Sequence, residues 1–254
     1  MEARIIPALD SAALAARTIL ESNGETYRAE ETALRMCIAF GLKDPQIMAF
    51  PTGYVLSAII DTQRETRVYR IQERGIRLDR IDAVNSISRK AVKGQIGPEA
   101  AYEELKALRG LPALNWWRAG LYYALAAAFF TVMFGGGFTE FFMSFLIGFL
   151  VQTLQIPLSL RQVPVQLRSF FLGFIAALAA VLLQELIPAR QEPLITGVIM
   201  PLLPGLALTN AVRDTIRGDL ISGLGRGAEA LISAVMLSAG VAIALLLRGA
   251  LWTA

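Results

Sequence analysis

Phe141-Phe142-Met143-Ser144-Phe145-Leu146-Ile147-Gly148-Phe149-Leu150-Val151-Gln152-Thr153-Leu154-Gln155-Ile156-Pro157-Leu158-Ser159-Leu160 runs for twenty residues without a charged side chain. A helix of that length rises about 30 Å, the thickness of a bilayer's hydrocarbon core. Four further apolar runs surround it. Residues 119–134 precede Gly135-Gly136-Gly137, and residues 167–187 carry Arg168 at their start and Glu185 near their end. Residues 194–212 are interrupted by Pro201, Pro204 and Gly205, and residues 230–247 are uncharged up to Arg248. Trp116 and Trp117, just ahead of the first run, suit the membrane–water interface.

Reading outward from these runs, the 254-residue chain divides sharply in charge. Residues 1–115 hold 31 of the 45 charged side chains, and residues 116–254 hold 14. Water is therefore the expected solvent of the first part and lipid that of most of the second. With the N-terminus inside, the inner connections carry Arg161 and Arg168, then Arg213, Arg217 and Arg226. The outer ones carry none and then Arg190, the outer tail has Arg248, and Arg118 also lies inside. This follows the positive-inside bias and predicts five spans, N-in and C-out. The stretch 12–20 is interrupted by Arg17 and has no basic leader, so no secretory signal is expected and the N-terminus should stay in the cytosol.

The soluble part, residues 1–113, reads as a small cytosolic α+β domain, and residues 114–254 as an all-α bundle of five transmembrane helices. Leu9, Ala12, Ala13, Ala16 and Leu20 recur at helical spacing before a turn at Ser22-Asn23-Gly24. A second helix is expected over 26–40, with Gly41 as its stop. Runs 46–50, 54–60 and 66–71 are β-branched or aromatic and separated by Pro51-Thr52-Gly53 and a polar turn at 61–65, which predicts a three-stranded meander. Two helices follow, one from Leu78 closed by Gly94 and Gly97-Pro98, and one over 99–108. Leu111-Pro112 marks the junction.

Composition removes several chemistries. The chain has no histidine and one cysteine, Cys37. Histidine-based triads, His-ligated metals, four-cysteine sites and an intrachain disulfide are excluded, and no metal or other cofactor is expected. Cys37, between Met36 and Ile38, reads as a buried, reduced thiol. The net charge of +3 is concentrated around the spans, so nucleic acid is not an expected partner.

The most informative chemistry lies in the fourth run and beyond it. Pro201 and Pro204 each remove a helix hydrogen bond, and Pro204-Gly205 permits a sharp bend. Such a break is either a packing kink or a substrate site of the kind that interrupted helices build in transporters. Thr209 and Asn210 follow it. Arg213, Asp214, Arg217, Asp219, Arg226 and Glu229 then form either a solvated cytosolic loop or a pore-mouth segment whose carboxylates exchange protons. Gly223, Gly225 and Gly227 lack the strand and the Lys-Ser/Thr of a phosphate loop and fit close packing better. Small residues in the last run (Ser233, Ala234, Ser238, Ala239, Gly240) and in the third (Ala176, Ala177, Ala179, Ala180) predict tight helix contacts. In the soluble domain, Gly24, Thr26, Arg28, Glu30 and Thr32 cluster at a helix start. Thr26 reads as an N-cap, or Arg28, Glu30 and Arg35 as an anion site.

Gly24-x-Thr26-x-Arg28-x-Glu30-x-Thr32, Phe50-Pro51-Thr52-Gly53 and Ala83-Val84-Asn85-x-x-Ser88-Arg89 resemble the cytosolic half of the threonine/serine exporter family. So does Pro204-Gly205-x-x-Leu208-Thr209-Asn210-x-x-x-Asp214-x-x-x-Gly218-Asp219-x-x-Ser222-Gly223. The chain resembles the larger, N-terminal half of a ten-span unit, the type that works with a separate small five-span membrane protein. The resemblance implies proton-driven export of small polar metabolites, threonine and serine or dicarboxylates such as succinate, across a bacterial or archaeal inner membrane. It accounts for the odd span number. Pro201, Pro204, Gly205, Thr209, Asn210, Arg213, Asp214, Asp219 and Glu229 are then the expected substrate and ion pathway. Lacking histidine, the chain must carry protons on Asp or Glu. Two other classes stand beside this one: a membrane-anchored regulatory or hydrolytic module, and a self-associating channel.

Overall fold

The computed structural model describes residues 2–72, 74–112 and 114–252. The expected domain boundary at 113 falls on Ala113, outside the described residues. The chain forms two compact units. The first comprises Met1–Pro112 and Leu206–Gly227, and the second Ala113–Gly205 and Ala228–Ala254. Residues 206–227 thus belong with the N-terminal segment.

The first unit is built on α1 (Glu2–Glu21) and α2 (Thr26–Ala39). The alanine- and leucine-rich face of α1 is buried at Leu9, Ala12, Ala16, Ile19 and Leu20, and α2 contributes Ala29, Ala33, Met36 and Cys37 to the same core. Gly41, at φ +80°, ends α2 as the sequence predicts. Strands β1 (Lys43–Phe50), β2 (Gly53–Ile60) and β3 (Gln63–Arg70) form an antiparallel meander in the order β1-β2-β3. The polar turn expected over 61–65 is shorter than that. β3 begins at Gln63, which pairs with Ile60, and Asp61 makes the bend at φ +54°. Tyr54, Leu56 and Ala58 face the core, and the Tyr54 hydroxyl donates to the Ala13 carbonyl at 2.8 Å. Helices α3 (Leu78–Val92) and α4 (Pro98–Arg109) complete the N-terminal part. Glu21 pairs with Arg17 within α1 at 2.7 Å and joins α1 to α4 through Arg109 at 2.9 Å.

The second unit contains α5 (Trp116–Met133), α6 (Phe138–Leu160), α7 (Val165–Leu186), α8 (Gln191–Ile199), a 3-10 turn at Met200–Leu202, and most of α10 (Leu220–Trp252). Among the described residues, Phe138–Leu160, Val165–Leu186 and Leu220–Gly249 are long and apolar enough to cross a membrane. Gln191–Leu202 and Gly205–Ile216 reach that standard as one interrupted pair, giving up to four spans. The fourth apolar run is therefore two helices, α8 and α9 (Gly205–Ile216), parted where Pro201 and Pro204 withdraw their N–H groups.

Small residues set the helix contacts in this unit. A Cβ on Gly173 of α7 would lie 2.6 Å from the Leu237 carbonyl of α10, and one on Gly240 would strike the Phe170 carbonyl. Gly197 of α8 lies equally close to Thr131 of α5. Backbones that approach this closely exclude any larger residue. The Tyr123 hydroxyl donates to the Val198 carbonyl at 3.0 Å, supplying a partner beside the interrupted end of α8. Glu140 accepts the backbone N–H groups of Gly137 and Arg190, both at 2.8 Å, and so ties two inter-helix loops.

Candidate functional site

The turn between α1 and α2 is the floor of the site. Asn23 adopts φ +60°, and the N–H of Gly24 donates back to the Ile19 carbonyl at 2.9 Å. A Cβ on Gly24 would lie 2.6 Å from Ile19 Cγ2, so glycine is needed for the chain to turn this tightly. The geometry leaves the carbonyls of Asn23 and Gly24 as acceptors and puts Thr26 at the first position of α2.

Helix α9 and the start of α10 supply the opposite wall within the same unit. Asn210 Nδ2 donates to the Asn23 carbonyl at 3.1 Å. Arg226 donates through Nη1 to Asn23 Oδ1 at 3.1 Å and through Nη2 to the Gly24 carbonyl at 2.7 Å. Its Nε lies 3.2 Å from Asp214 Oδ2, which also accepts the Thr26 hydroxyl at 3.2 Å. Arg213 pairs with Glu25, and the Arg217 guanidinium sits 4.8 Å above the Tyr27 ring. Tight packing between α9 and α10 makes this wall possible. A Cβ on Gly223 would meet the Thr215 side chain and lie 2.9 Å from the Ala211 carbonyl.

Burial makes the centre unusual. Asp214 is 0% exposed and Arg226 is 1% exposed, so a full ion pair is held out of water. Isolated charges are costly there, and such a pair persists when further hydrogen bonds complete it. Asp214 also stands at the N-terminus of α2, where unpaired backbone N–H groups favour an anion. Its Oδ1 receives no hydrogen bond among the described residues. Glu30, one turn into α2, accepts the Ala49 N–H at 2.8 Å. Burial raises the Glu30 carboxyl above its ordinary range, the Ala49 bond opposes that, and the carboxylates of Asp219 and Asp214 push it further up.

Two expectations change at this point. Thr26 is not an N-cap: Glu25 holds that position without a side-chain cap bond, and the Thr26 hydroxyl goes to Asp214 instead. Arg28, Glu30 and Arg35 do not converge on an anion. Arg28 lies 3.4 Å from Glu25, Arg35 pairs with Glu31 on the exposed face, and Glu30 bonds β1. Of the two readings of the segment after Thr209, a solvated loop does not describe Asp214, which is fully buried on a helix.

Asn210, Arg213, Asp214 and Arg226 thus meet Asn23, Glu25, Thr26 and Gly24, two sets of residues that the sequence left apart. Thr32 is also buried on α2, and Asp219 is half-buried, its N–H donating to the Asp214 carbonyl at 2.9 Å. Thr209 and Arg213 line an open groove of about 400 Å³ with Leu208, Val212, Ile216 and Arg217. Pro201, Pro204, Gly205 and Glu229 belong to the second unit. Asn23 and Glu25 carry no signal in the sequence as site residues, and Arg226 reads there only as one charge of the segment after Thr209. The visible signal was Arg226 itself, a lone arginine between glycines at the edge of an apolar run.

The family model ThrE, described as "Putative threonine/serine exporter", matches residues 10–248. The chain belongs to the threonine/serine exporter family. It is similar to the "Probable succinate transporter subunit YjjP" of Escherichia coli (strain K12), at 25% identity over 236 residues and 91% of each chain. The protein of the same description from Klebsiella aerogenes is also 25% identical over 236 residues, covering 91% of this chain and 90% of the relative. No solved structure matches the chain. The family and these relatives are transporters, not enzymes. An exporter-family chain with helices able to cross a bilayer is a membrane transport protein.

Proposed function

We propose that this exporter-family chain is one subunit of a proton-coupled secondary transporter that moves small polar metabolites out across a bacterial inner membrane. The observation that carries this reading is Asp214: a fully buried carboxylate whose Oδ1 takes no hydrogen bond among the described residues. A carboxylate so placed has room for a proton on one oxygen while the other keeps its partners. The chain has no histidine to share that task. Asp219 and Glu229 are further stations in the same segment.

The topology that goes with this function is five spans, N-in and C-out, with α5 as the first and the α8–α9 pair as the interrupted fourth. The arginine distribution over the connections supports that orientation. Pro201, Pro204 and Gly205 then form the break at which substrate is held, with Thr209, Asn210 and Arg213 beyond it. Succinate, named in the description of both relatives, and threonine or serine, named by the family, are the substrate classes. The word "subunit" in the relatives' description supports a second chain as partner, a small five-span protein of the same family.

The test uses inverted membrane vesicles holding this chain and that partner. An acid-inside gradient should drive uptake of labelled succinate, threonine or serine, and Asp214→Asn should abolish the gradient-dependent part. Flux that ignores the gradient would instead mark a passive channel.

A further inference from the structure

Arg226 is the cation that contacts Asp214, and its other two nitrogens are fixed by neutral acceptors, Asn23 Oδ1 and the Gly24 carbonyl. Neither acceptor carries a charge, and Asp214 is an ionic partner of the guanidinium at 3.2 Å. Other charges surround the pair on every packed element. Glu25 and Glu30 come from α2, Arg213 and Arg217 from α9, and Asp219 from the link to α10. Arg213 and Arg28 engage Glu25, and Arg217 lies over Tyr27. Glu30 and Asp219 carry charges of the same sign as Asp214. The guanidinium, together with the Thr26 hydroxyl, therefore favours the ionised carboxylate, and its aim depends on the Asn23-Gly24 turn.

We propose that Arg226 is a positioning residue, anchored on the Asn23-Gly24 turn, that holds Asp214 charged against the first turn of α2 and so sets the pH at which Asp214 takes up a proton. When the proton arrives, the carboxylate loses its hold on Arg226, and the attachment of α9 and α10 to the start of α2 loosens. The turn in the N-terminal segment thereby takes part in proton exchange occurring on α9. This inference rests on the reading of Asp214 as the proton-carrying group.

Two measurements on the full chain with its partner separate the inference from that reading. The first is the pH profile of gradient-driven flux. Removing an opposite charge this close raises a carboxylate's midpoint by about 1–3 pH units. Arg226→Gln should therefore move the acid limb of the profile upward by that amount, and Arg226→Lys should return it most of the way. The double variant Asp214→Asn/Arg226→Gln removes both buried charges, so it should fold but, without Asp214, show no gradient-driven flux, and it serves as the control for the second measurement. The second is hydrogen exchange over residues 22–32, which needs no transport. Arg226→Gln should exchange there faster than the wild type, and lowering the pH should loosen the wild type but not the double variant, once intrinsic exchange rates are corrected. A folded Arg226→Gln protein with a wild-type pH profile and wild-type protection at 22–32 overturns the inference. Wild-type flux without any proton dependence overturns the reading of Asp214 on which it rests, while the exchange data still report whether Arg226 holds the turn.

Discussion

The Thr26 hydroxyl donates to Asp214 Oδ2 at 3.2 Å, joining residues 188 positions apart by one buried hydrogen bond. A bond to an ionised acceptor contributes about 1.5–3 kcal/mol, more than a neutral one. Thr26→Val keeps the shape of the side chain and removes the donor. It should destabilise the first unit by about that amount, and Thr26→Ser should recover most of it. Thermal unfolding in detergent, followed by protease resistance of the 1–112 segment, measures both. Equal melting of Thr26→Val and the wild type would show the bond to be dispensable.

Two neighbouring glycines should behave oppositely. At Gly223 a Cβ meets Thr215 and the Ala211 carbonyl, whereas at Gly225 nothing lies within 4 Å. Gly223→Val should separate α9 from α10 and lower both stability and transport. Gly225→Ala should be tolerated, or gain about 0.5–1 kcal/mol from the better helix former. Melting temperatures of the pair decide the matter, and similar losses at both sites would contradict the packing described.

The Glu30 carboxyl is raised by burial and by the nearby carboxylates of Asp219 and Asp214. A raised value means the folded state holds this proton more tightly than the unfolded state. The associated stability is present at acid pH and is lost as pH rises through the folded midpoint. Glu30→Gln keeps an oxygen for the Ala49 N–H and removes the charge. Its melting temperature should exceed the wild-type value at neutral pH, and the difference should shrink on acidification. A difference independent of pH would refute this account.

Cys37 is buried in the core of the first unit, and burial pushes its thiol up to about 12. The thiolate is the reactive form, so the folded protein should resist maleimide at pH 7–8. Mass spectrometry should find full labelling only after denaturation. Rapid labelling of the native protein would mean that α2 opens readily.

In the second unit, Tyr123→Phe leaves the Val198 carbonyl without its hydroxyl donor. An unsatisfied buried acceptor costs about 1–3 kcal/mol. The variant should unfold earlier in detergent and lose transport through looser control of the break after α8. Unchanged stability would show that the carbonyl finds another partner.

Most of the elements were legible because their signals are local. Gly41 stops α2, Pro98 opens α4, and the period of the side chains changes from helix to strand near residue 46. Pro201 and Pro204 placed the break in the fourth apolar run. The small residues of the last run marked the surface on which Gly240 meets Phe170, whereas Gly173, which meets Leu237, carried no such signal in the third. The site was harder to read, because Thr26 carries the same local signature whether it caps α2 or serves a carboxylate from α9. Only tertiary contact distinguishes the two, and no spacing rule links Asn23 to Arg226. Asp214 was flagged by its charge beside an apolar run. Its burial depended on Arg226 and the Asn23-Gly24 turn being opposite it, which is non-local information.

The first unit takes its residues from both sides of the apolar helices α5 to α8. During synthesis, residues 1–112 leave the ribosome before the segment that holds Asp214 and Arg226 exists. The Asn23-Gly24 turn must wait for residues 113–205 to be made and inserted before it acquires its partners. A fragment ending at 112 is consequently an unfinished fold, with bare carbonyls where Asn210 and Arg226 belong. Completion of this unit is thus a late event that reports on the passage of the helices made between its two pieces.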